Sequence, residues 1–211
     1  MSSPTPALFP MFVKLEARFC LVVGGGPVGE SKVQSLLTAG ARVTVIAAEI
    51  TEMLEEQARQ GLIVWQRRRF QLSDLDRMFL VIAATSDDEF NELIFCEAER
   101  RGILCNAVDQ PSRCHFYFPA VVRRGALQIA ISTAGLCPAL AQRLRKELEA
   151  RFGPEYEEWL AWLGRVRAAL MRNGTDLESR KVLLHHLASR EVFDRLGASR
   201  ARRQLSRGST A

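Results

Sequence analysis

Apolar and polar positions along the first half of the chain predict alternating strands and helices. An apolar run over Phe19–Val23 leads into a glycine-rich turn, and apolar residues then recur at helical spacing until Gly40. That glycine suits the end of a helix. A second β-rich run starts at Val43, so the segment has the length of a strand-helix-strand unit.

The same alternation continues to about residue 112. Apolar runs and helical stripes predict strands at 62–65, 78–84 and 103–106, and helices at 50–60 and after a capping box at 86–89. The unbroken run at 78–84 suits a parallel strand that is buried on both faces. The order β-α-β-α-β-β-α-β predicts an α/β fold with a Rossmann-like, doubly wound parallel sheet.

The pattern changes after Pro111. Strand-like runs at 116–122 and 127–132 predict a hairpin, and only helical patterns follow, the last opened by a capping box from Thr175 to Glu178. We therefore expect a Rossmann domain over 1–112, a small α+β module over 113–152, and a helical C-terminal module with a basic tail over 153–211.

Composition describes an ordinary globular protein. Hydrophobic residues make up 47% and charged residues 25% of the 211 positions, which excludes a disordered, collagen-like or disulfide-scaffold protein. The chain has no apolar run of membrane-spanning length and no signal-peptide pattern, so we expect a cytoplasmic protein without a membrane partner. The five cysteines form no ligand-spaced pair, and we expect no metal site.

The net charge of +5 arises entirely in the C-terminal part. Residues 151–211 carry 12 basic and 7 acidic side chains, whereas residues 1–150 carry 17 of each. The tail holds four arginines without an intervening acid: Arg200, Arg202, Arg203 and Arg207. Such a tail is compatible with nucleic acid, with an anionic surface, or with no specific partner.

The glycine turn carries the clearest chemical signal. Gly24, Gly26 and Gly29 form a G-x-G-x-x-G pattern between a predicted strand and a predicted helix, the context that favours a dinucleotide diphosphate. The acid that usually ends the second strand is missing, and Glu49 either binds the ribose or only caps the next helix. Because no arginine stands at that strand end, the pattern favours NAD over NADP.

Two further segments are candidates for substrate chemistry. Asp109 follows the last strand of the predicted sheet, where ligands of open α/β sheets bind; it is either a general base or a turn residue before Pro111. The loop over 132–137 enters a helix N-terminus, which suits an anion but also an ordinary helix start. His115 is a candidate to face the ligand cleft near Asp109.

Seven segments, in order and spacing, resemble precorrin-2 dehydrogenase, the N-terminal region of the siroheme synthase family. The segments are 12–15, 21–28, 39–45, 81–85, 106–109, 118–120 and 131–135. The resemblance covers about residues 10–150, and it is specific as a set. It implies NAD-dependent oxidation of precorrin-2 to sirohydrochlorin in siroheme or cobalamin biosynthesis, by a homodimer whose second module makes the dimer contact.

The resemblance also implies roles for individual residues. Asp109 matches the catalytic carboxylate, which takes a proton from the tetrapyrrole. The candidate cofactor-binding residues are Gly24, Gly26, Pro27, Val28, Gly29, Ala48, Glu49 and Thr85. The candidate substrate-binding residues are Ser132, Thr133 and His115.

Two alternatives remain open. Some relatives also insert ferrous iron into sirohydrochlorin, and the sequence does not separate them from the others. A non-enzymatic protein that senses NAD and binds a partner through the basic tail is the second alternative. Because the resemblance favours an enzyme and the tail shows no DNA-binding motif, we expect no nucleic-acid partner.

Overall fold

The structure is a computed structural model, and it describes residues 7–195. Within that range the chain divides into two compact units, the first ending at Phe118 and the second beginning at Pro119. The predicted three-module division, with boundaries after residues 112 and 152, stays a prediction. The basic tail, with Arg200, Arg202, Arg203 and Arg207, lies outside the described residues.

The first unit is built on a five-stranded sheet in which every strand pair is parallel. Its strands are β1 (Phe19–Val23), β2 (Arg42–Ile46), β3 (Ile63–Gln66), β4 (Leu80–Ala83) and β5 (Leu104–Ala107). The spatial order is β3-β2-β1-β4-β5, so the winding direction reverses between β1 and β4. This is the Rossmann-like arrangement, and the predicted fold class is confirmed.

Helices cover both faces of that sheet. They are α1 (Pro27–Thr38), α2 (Glu52–Arg59) and α3 (Asp88–Arg100). Alternate residues of β1 serve opposite cores: Cys20 and Val22 pack with residues of α1 and α2, while Leu21 and Val23 pack with residues of α3. All four residues of β4 are buried, as the unbroken apolar run predicts for a parallel strand covered on both sides.

The second unit contains an antiparallel hairpin and helices. Its elements are β6 (Ala120–Arg124), β7 (Leu127–Ile131), α4 (Pro138–Arg151), α5 (Glu155–Arg172) and α6 (Leu177–Leu187). Gly125 turns the hairpin with a φ of +56°, a conformation that favours glycine. The guanidinium of Arg124 donates to the carbonyl oxygens of Glu149 at 3.0 Å and Phe152 at 2.7 Å, which satisfies the end of α4.

Three local predictions are wrong. The caps of α3 and α6 are Asp87 and Asp176, one residue after the predicted Ser86 and Thr175, because each carboxylate accepts the first helical amides. The strand predicted from residue 116 begins only at Ala120. The carbonyl of Phe116 accepts instead from the side chain of Asn106 at 2.8 Å, and Pro119 has no N–H for a ladder.

In the part of the chain that the structure describes, none of the helices has both the length and the apolar character that crossing a membrane requires.

Candidate functional site

The glycine turn between β1 and α1 requires glycine for two geometric reasons. Gly24 has a φ of +114°, and a Cβ at this position would overlap the carbonyl oxygen of Ala84 at the end of β4. A Cβ on Gly29 would overlap the carbonyl oxygen of Gly24. The turn therefore lies directly against β4, and α1 packs directly onto the turn, as the dinucleotide-binding pattern demands.

Gly26 stands in an open position at the start of α1. A Cβ built on it meets nothing within 4 Å, and its backbone is extended, with φ −76° and ψ −176°. It is the N-cap residue, and no side chain caps the helix. Because the first amides of a helix have no acceptor within the helix, this end, beside Pro27 and Val28, is suited to an anion.

The loop after β2 lies against the same turn. The N–H of Thr51 donates to the carbonyl oxygen of Gly25 at 3.1 Å, and a Cβ on Gly25 would lie 2.5 Å from Cγ2 of Ile50. Thr51 itself caps α2, with its hydroxyl accepting from the N–H of Leu54. The capping alternative for Glu49 is therefore wrong, and Glu49 stays an exposed ribose candidate beside Ala48.

Thr85 is held beside the glycine turn by a side chain that the sequence reasoning missed. Its hydroxyl donates to Oδ1 of Asn91 at 2.7 Å, and Nδ2 of Asn91 donates to its carbonyl oxygen at 3.0 Å. Asn91 lies on α3 and is buried. The signal in the sequence was a polar residue within a stripe of apolar helical positions.

Asp109 leaves the carboxyl end of β5 with an unusual backbone conformation. Its φ is +61°, in the left-handed region that L-residues other than glycine rarely adopt. The N–H of Val108 donates to the carbonyl oxygen of Ala83 at 2.9 Å, so the segment follows the end of β4. The Asp109 side chain is exposed. Backbone strain of this kind is concentrated at functional sites.

Lys32, on α1, is a second residue that the sequence reasoning missed. It is partly buried, and its Nζ lies 4.0 Å from the centre of the Phe118 ring. Burial lowers the pKa of the Lys32 ammonium, while the nearby charges of Asp109 and Cys114 act in the opposite direction. Lys32 on α1 and the carboxylate that follows β5 are therefore close enough to interact electrostatically.

The predicted substrate-binding residues belong to different units. His115 lies against the edge strand β5, where its Nδ1 accepts from the N–H of Cys105 at 3.0 Å and its ring packs on Phe95 of α3. Ser132 and Thr133 lie in the second unit, and their hydroxyls accept from the amides of Ala134 and Cys137 in the turn before α4. Their roles toward substrate stay predictions.

Among residues 7–195, no group of three or more His, Cys, Asp or Glu side chains is arranged to hold a metal ion. Burial raises the pKa of Cys105 to about 12 and that of Cys20 to about 11, so both remain thiols at neutral pH.

The parallel sheet, the glycine turn and the open N-terminus of α1 define a dinucleotide-binding domain. A family model described as "Putative NAD(P)-binding" matches residues 11–120, and the chain belongs to this family. A second model, described as "Sirohaem biosynthesis protein central", matches residues 124–151.

Curated relatives are siroheme synthases. Siroheme synthase 1 of Serratia proteamaculans (strain 568) is 42% identical over 165 residues, which cover 76% of this chain and 35% of the relative. Siroheme synthase 2 of Yersinia enterocolitica (serotype O:8 / biotype 1B) is 39% identical over 194 residues, which cover 92% of this chain and 40% of the relative. The chain spans somewhat over a third of the length of these relatives.

A solved structure agrees with these matches. "SirC, precorrin-2 dehydrogenase" is similar with a TM-score of 0.76 and 25% identity, over 88% of this chain and 92% of that one. The resemblance to precorrin-2 dehydrogenase noted from the sequence is confirmed.

Proposed function

We propose that this chain is an NAD-dependent oxidoreductase that converts precorrin-2 to sirohydrochlorin. The observation that carries the proposal is Asp109, a strained and exposed carboxylate at the carboxyl end of β5. It lies at the carboxyl ends of the strands, where ligands of doubly wound folds bind. The similarity to SirC, which extends over most of both chains, supports the choice of substrate.

The reaction removes a hydride and a proton from precorrin-2. NAD, held at the glycine turn, would supply the acceptor for the hydride. Asp109 accepts the proton on a carboxylate oxygen, and general bases of this kind contribute roughly 10² to 10⁴ in rate. Lys32 is a cation on α1 that interacts with Asp109.

The first unit supplies the residues for the cofactor. Its glycine turn has the close backbone approach that a diphosphate needs, and the free amides at the start of α1, beside Pro27 and Val28, suit its negative charge. Ala48 and Glu49 are our candidates for the adenosine ribose, and Thr85 is our candidate at the end of β4. Ser132, Thr133 and His115 remain our candidates for contact with the tetrapyrrole.

Anaerobic turnover of precorrin-2 with NAD tests the role of Asp109. We expect Asp109→Asn to lower kcat by roughly 10² to 10⁴, the usual loss for a general base. Asp76→Asn is the matched control, because Asp76 is an exposed carboxylate that pairs with Arg101 at 2.6 Å, away from the glycine turn. Full activity of Asp109→Asn would remove Asp109 from its assigned role.

Iron insertion into the product is a second candidate activity. The curated relatives are named siroheme synthases, and Asp109 is a carboxylate that is suited to accept the pyrrole protons. Adding ferrous iron to sirohydrochlorin with and without the protein separates the two possibilities. A rate of iron insertion above the uncatalysed one that falls in Asp109→Asn supports the bifunctional enzyme. A rate equal to that without the protein indicates a dehydrogenase that does not insert iron.

The proposed assembly is a homodimer in the cytoplasm, with no nucleic-acid or membrane partner. Light scattering tests the assembly, since a dimer has twice the 23.6 kDa mass of one chain. The NAD-sensing alternative predicts duplex DNA binding that weakens steeply with salt. Formation of NADH from precorrin-2 without such binding would eliminate that alternative.

A further inference from the structure

Arg67 reaches the end of β2 from the neighbouring strand. In the parallel β2–β3 pair, the last residue of β2, Ile46, lies opposite the last residue of β3, Gln66. Arg67 follows β3 directly and therefore lies beside the carboxyl end of β2. The Nε–H of Arg67 donates to the carbonyl oxygen of Ala48 at 3.2 Å. This places the guanidinium beside the loop that carries the candidate ribose-binding residues.

The contacts around Arg67 hold this region together. The indole N–H of Trp65 donates to the carbonyl oxygen of Ala47 at 3.1 Å, and the N–H of Ala47 donates to the carbonyl oxygen of Gln66. The guanidinium carbon of Arg67 lies 5.8 Å from the centre of the Trp65 ring. Arg67 is thus held by its hydrogen bond to Ala48, after β2, and by its contact with the Trp65 ring of β3.

The charge of Arg67 is available to a ligand. Arg68, the next residue, pairs with Asp74 at 2.5 Å. Within residues 7–195, Arg67 forms no ion pair with a carboxylate at 4.0 Å or less, and its side chain is exposed. A planar guanidinium that is exposed and has no carboxylate partner is well suited to bind a phosphate group.

The end of β2 decides between the two nicotinamide dinucleotides. In doubly wound folds an acid here binds the ribose 2′-hydroxyl of NAD, whereas a nearby arginine accommodates the 2′-phosphate of NADP. In this chain Ala47 and Ala48 stand at that end, with Glu49 one residue further on. The expectation that no arginine reaches this strand end is wrong, because Arg67 arrives there through strand pairing.

We propose that Arg67 binds the 2′-phosphate of NADP, so that the site accepts NADP as well as NAD. The proposal rests on the proposed function only in requiring that the glycine turn bind a dinucleotide. Glu49 remains the partner for the 2′-hydroxyl of NAD. An acid on the loop after β2 and an arginine just after β3 therefore give a site that serves both cofactors.

Calorimetric titration of the whole chain with NAD⁺ and with NADP⁺, without precorrin-2, tests the proposal. We expect the two Kd values of the wild type to lie within about tenfold of each other, because a partly exposed phosphate contact contributes about one factor of ten. In Arg67→Ala the ratio of the NADP⁺ Kd to the NAD⁺ Kd rises about tenfold, and in Arg67→Glu it rises further. Arg67→Lys keeps the positive charge, so we expect its ratio to lie between those of the wild type and Arg67→Ala.

Arg69→Ala is the matched control, since Arg69 is an exposed arginine in the same turn and should leave the ratio unchanged. Wild-type protein that binds NAD⁺ but binds NADP⁺ more than a hundredfold more weakly would overturn the Arg67 proposal alone. An unchanged ratio in Arg67→Ala would also overturn it. If neither nucleotide binds, the proposed function fails together with it.

Discussion

Replacing Gly26 by alanine separates cofactor binding from folding. A Cβ at this position meets no atom within 4 Å, and the backbone, with φ −76° and ψ −176°, is open to any residue. Alanine at an N-cap lowers the free energy of unfolding by about 1 kcal/mol relative to better caps. Alanine also restricts the unfolded chain more than glycine does, which raises the free energy of unfolding by about 0.4 to 1 kcal/mol. The free energy of unfolding should change by less than about 1 kcal/mol.

The same methyl group should impair binding of NAD. The middle glycine of this pattern lets the backbone approach the diphosphate, and the open space above Gly26 is where a Cβ would stand. Losing one hydrogen bond to a charged group costs about 1.5 to 3 kcal/mol. We therefore expect the Kd for NAD⁺ to rise by roughly 10- to 100-fold.

Urea unfolding and calorimetric titration with NAD⁺ measure the two effects on one preparation. Gly24→Ala is the comparison, because its Cβ would overlap the carbonyl of Ala84 at a φ of +114°, and it should lose both stability and binding. A Gly26→Ala protein with wild-type stability and wild-type affinity would show that the diphosphate does not lie against Gly26. A strongly destabilised Gly26→Ala protein would refute the geometric reasoning.

Two further predictions concern α3. Asn91→Leu removes three hydrogen bonds to Thr85, including the one to its carbonyl oxygen, so we expect a loss of about 2 to 4 kcal/mol in urea unfolding. Glu92→Gln is the exposed control, and equal stabilities would contradict the assigned role of Asn91. Hydrogen bonds from Arg100 and Arg101 lower the pKa of Glu97 from 4.5 to about 2. Its stabilising effect is therefore present above pH 4.5 and is lost as the pH falls toward 2. The stability difference between wild type and Glu97→Gln should shrink over that interval, and a difference independent of pH would contradict the pairing.

Patterns within single segments predicted much of this fold. The apolar run at 78–84 indicated a strand buried on both faces, and all four residues of β4 are buried. The glycine spacing from Gly24 to Gly29 indicated a turn packed against strand and helix, and the overlaps that side chains would cause there explain the pattern. These features depend on neighbours in sequence, which periodicity reports directly.

Residues brought together by pairing of distant segments were missed. Arg67 reaches Ala48 only because β3 pairs with β2 in a particular register, and Lys32 of α1 comes near Asp109 although 77 positions separate them in the sequence. The caps were misplaced by one residue, since Ser86 and Asp87 are both good capping residues and the path of the chain decides between them. Long-range contacts of this kind leave no periodic trace in one sequence.

The most direct test of the proposed function is a single anaerobic turnover of precorrin-2 by wild-type protein with bound NAD⁺. We expect NADH and sirohydrochlorin to form in equal amounts, and the rate to fall roughly 10²- to 10⁴-fold in Asp109→Asn. If calorimetry shows that NAD⁺ is bound and precorrin-2 still yields no NADH, the protein is not a precorrin-2 dehydrogenase.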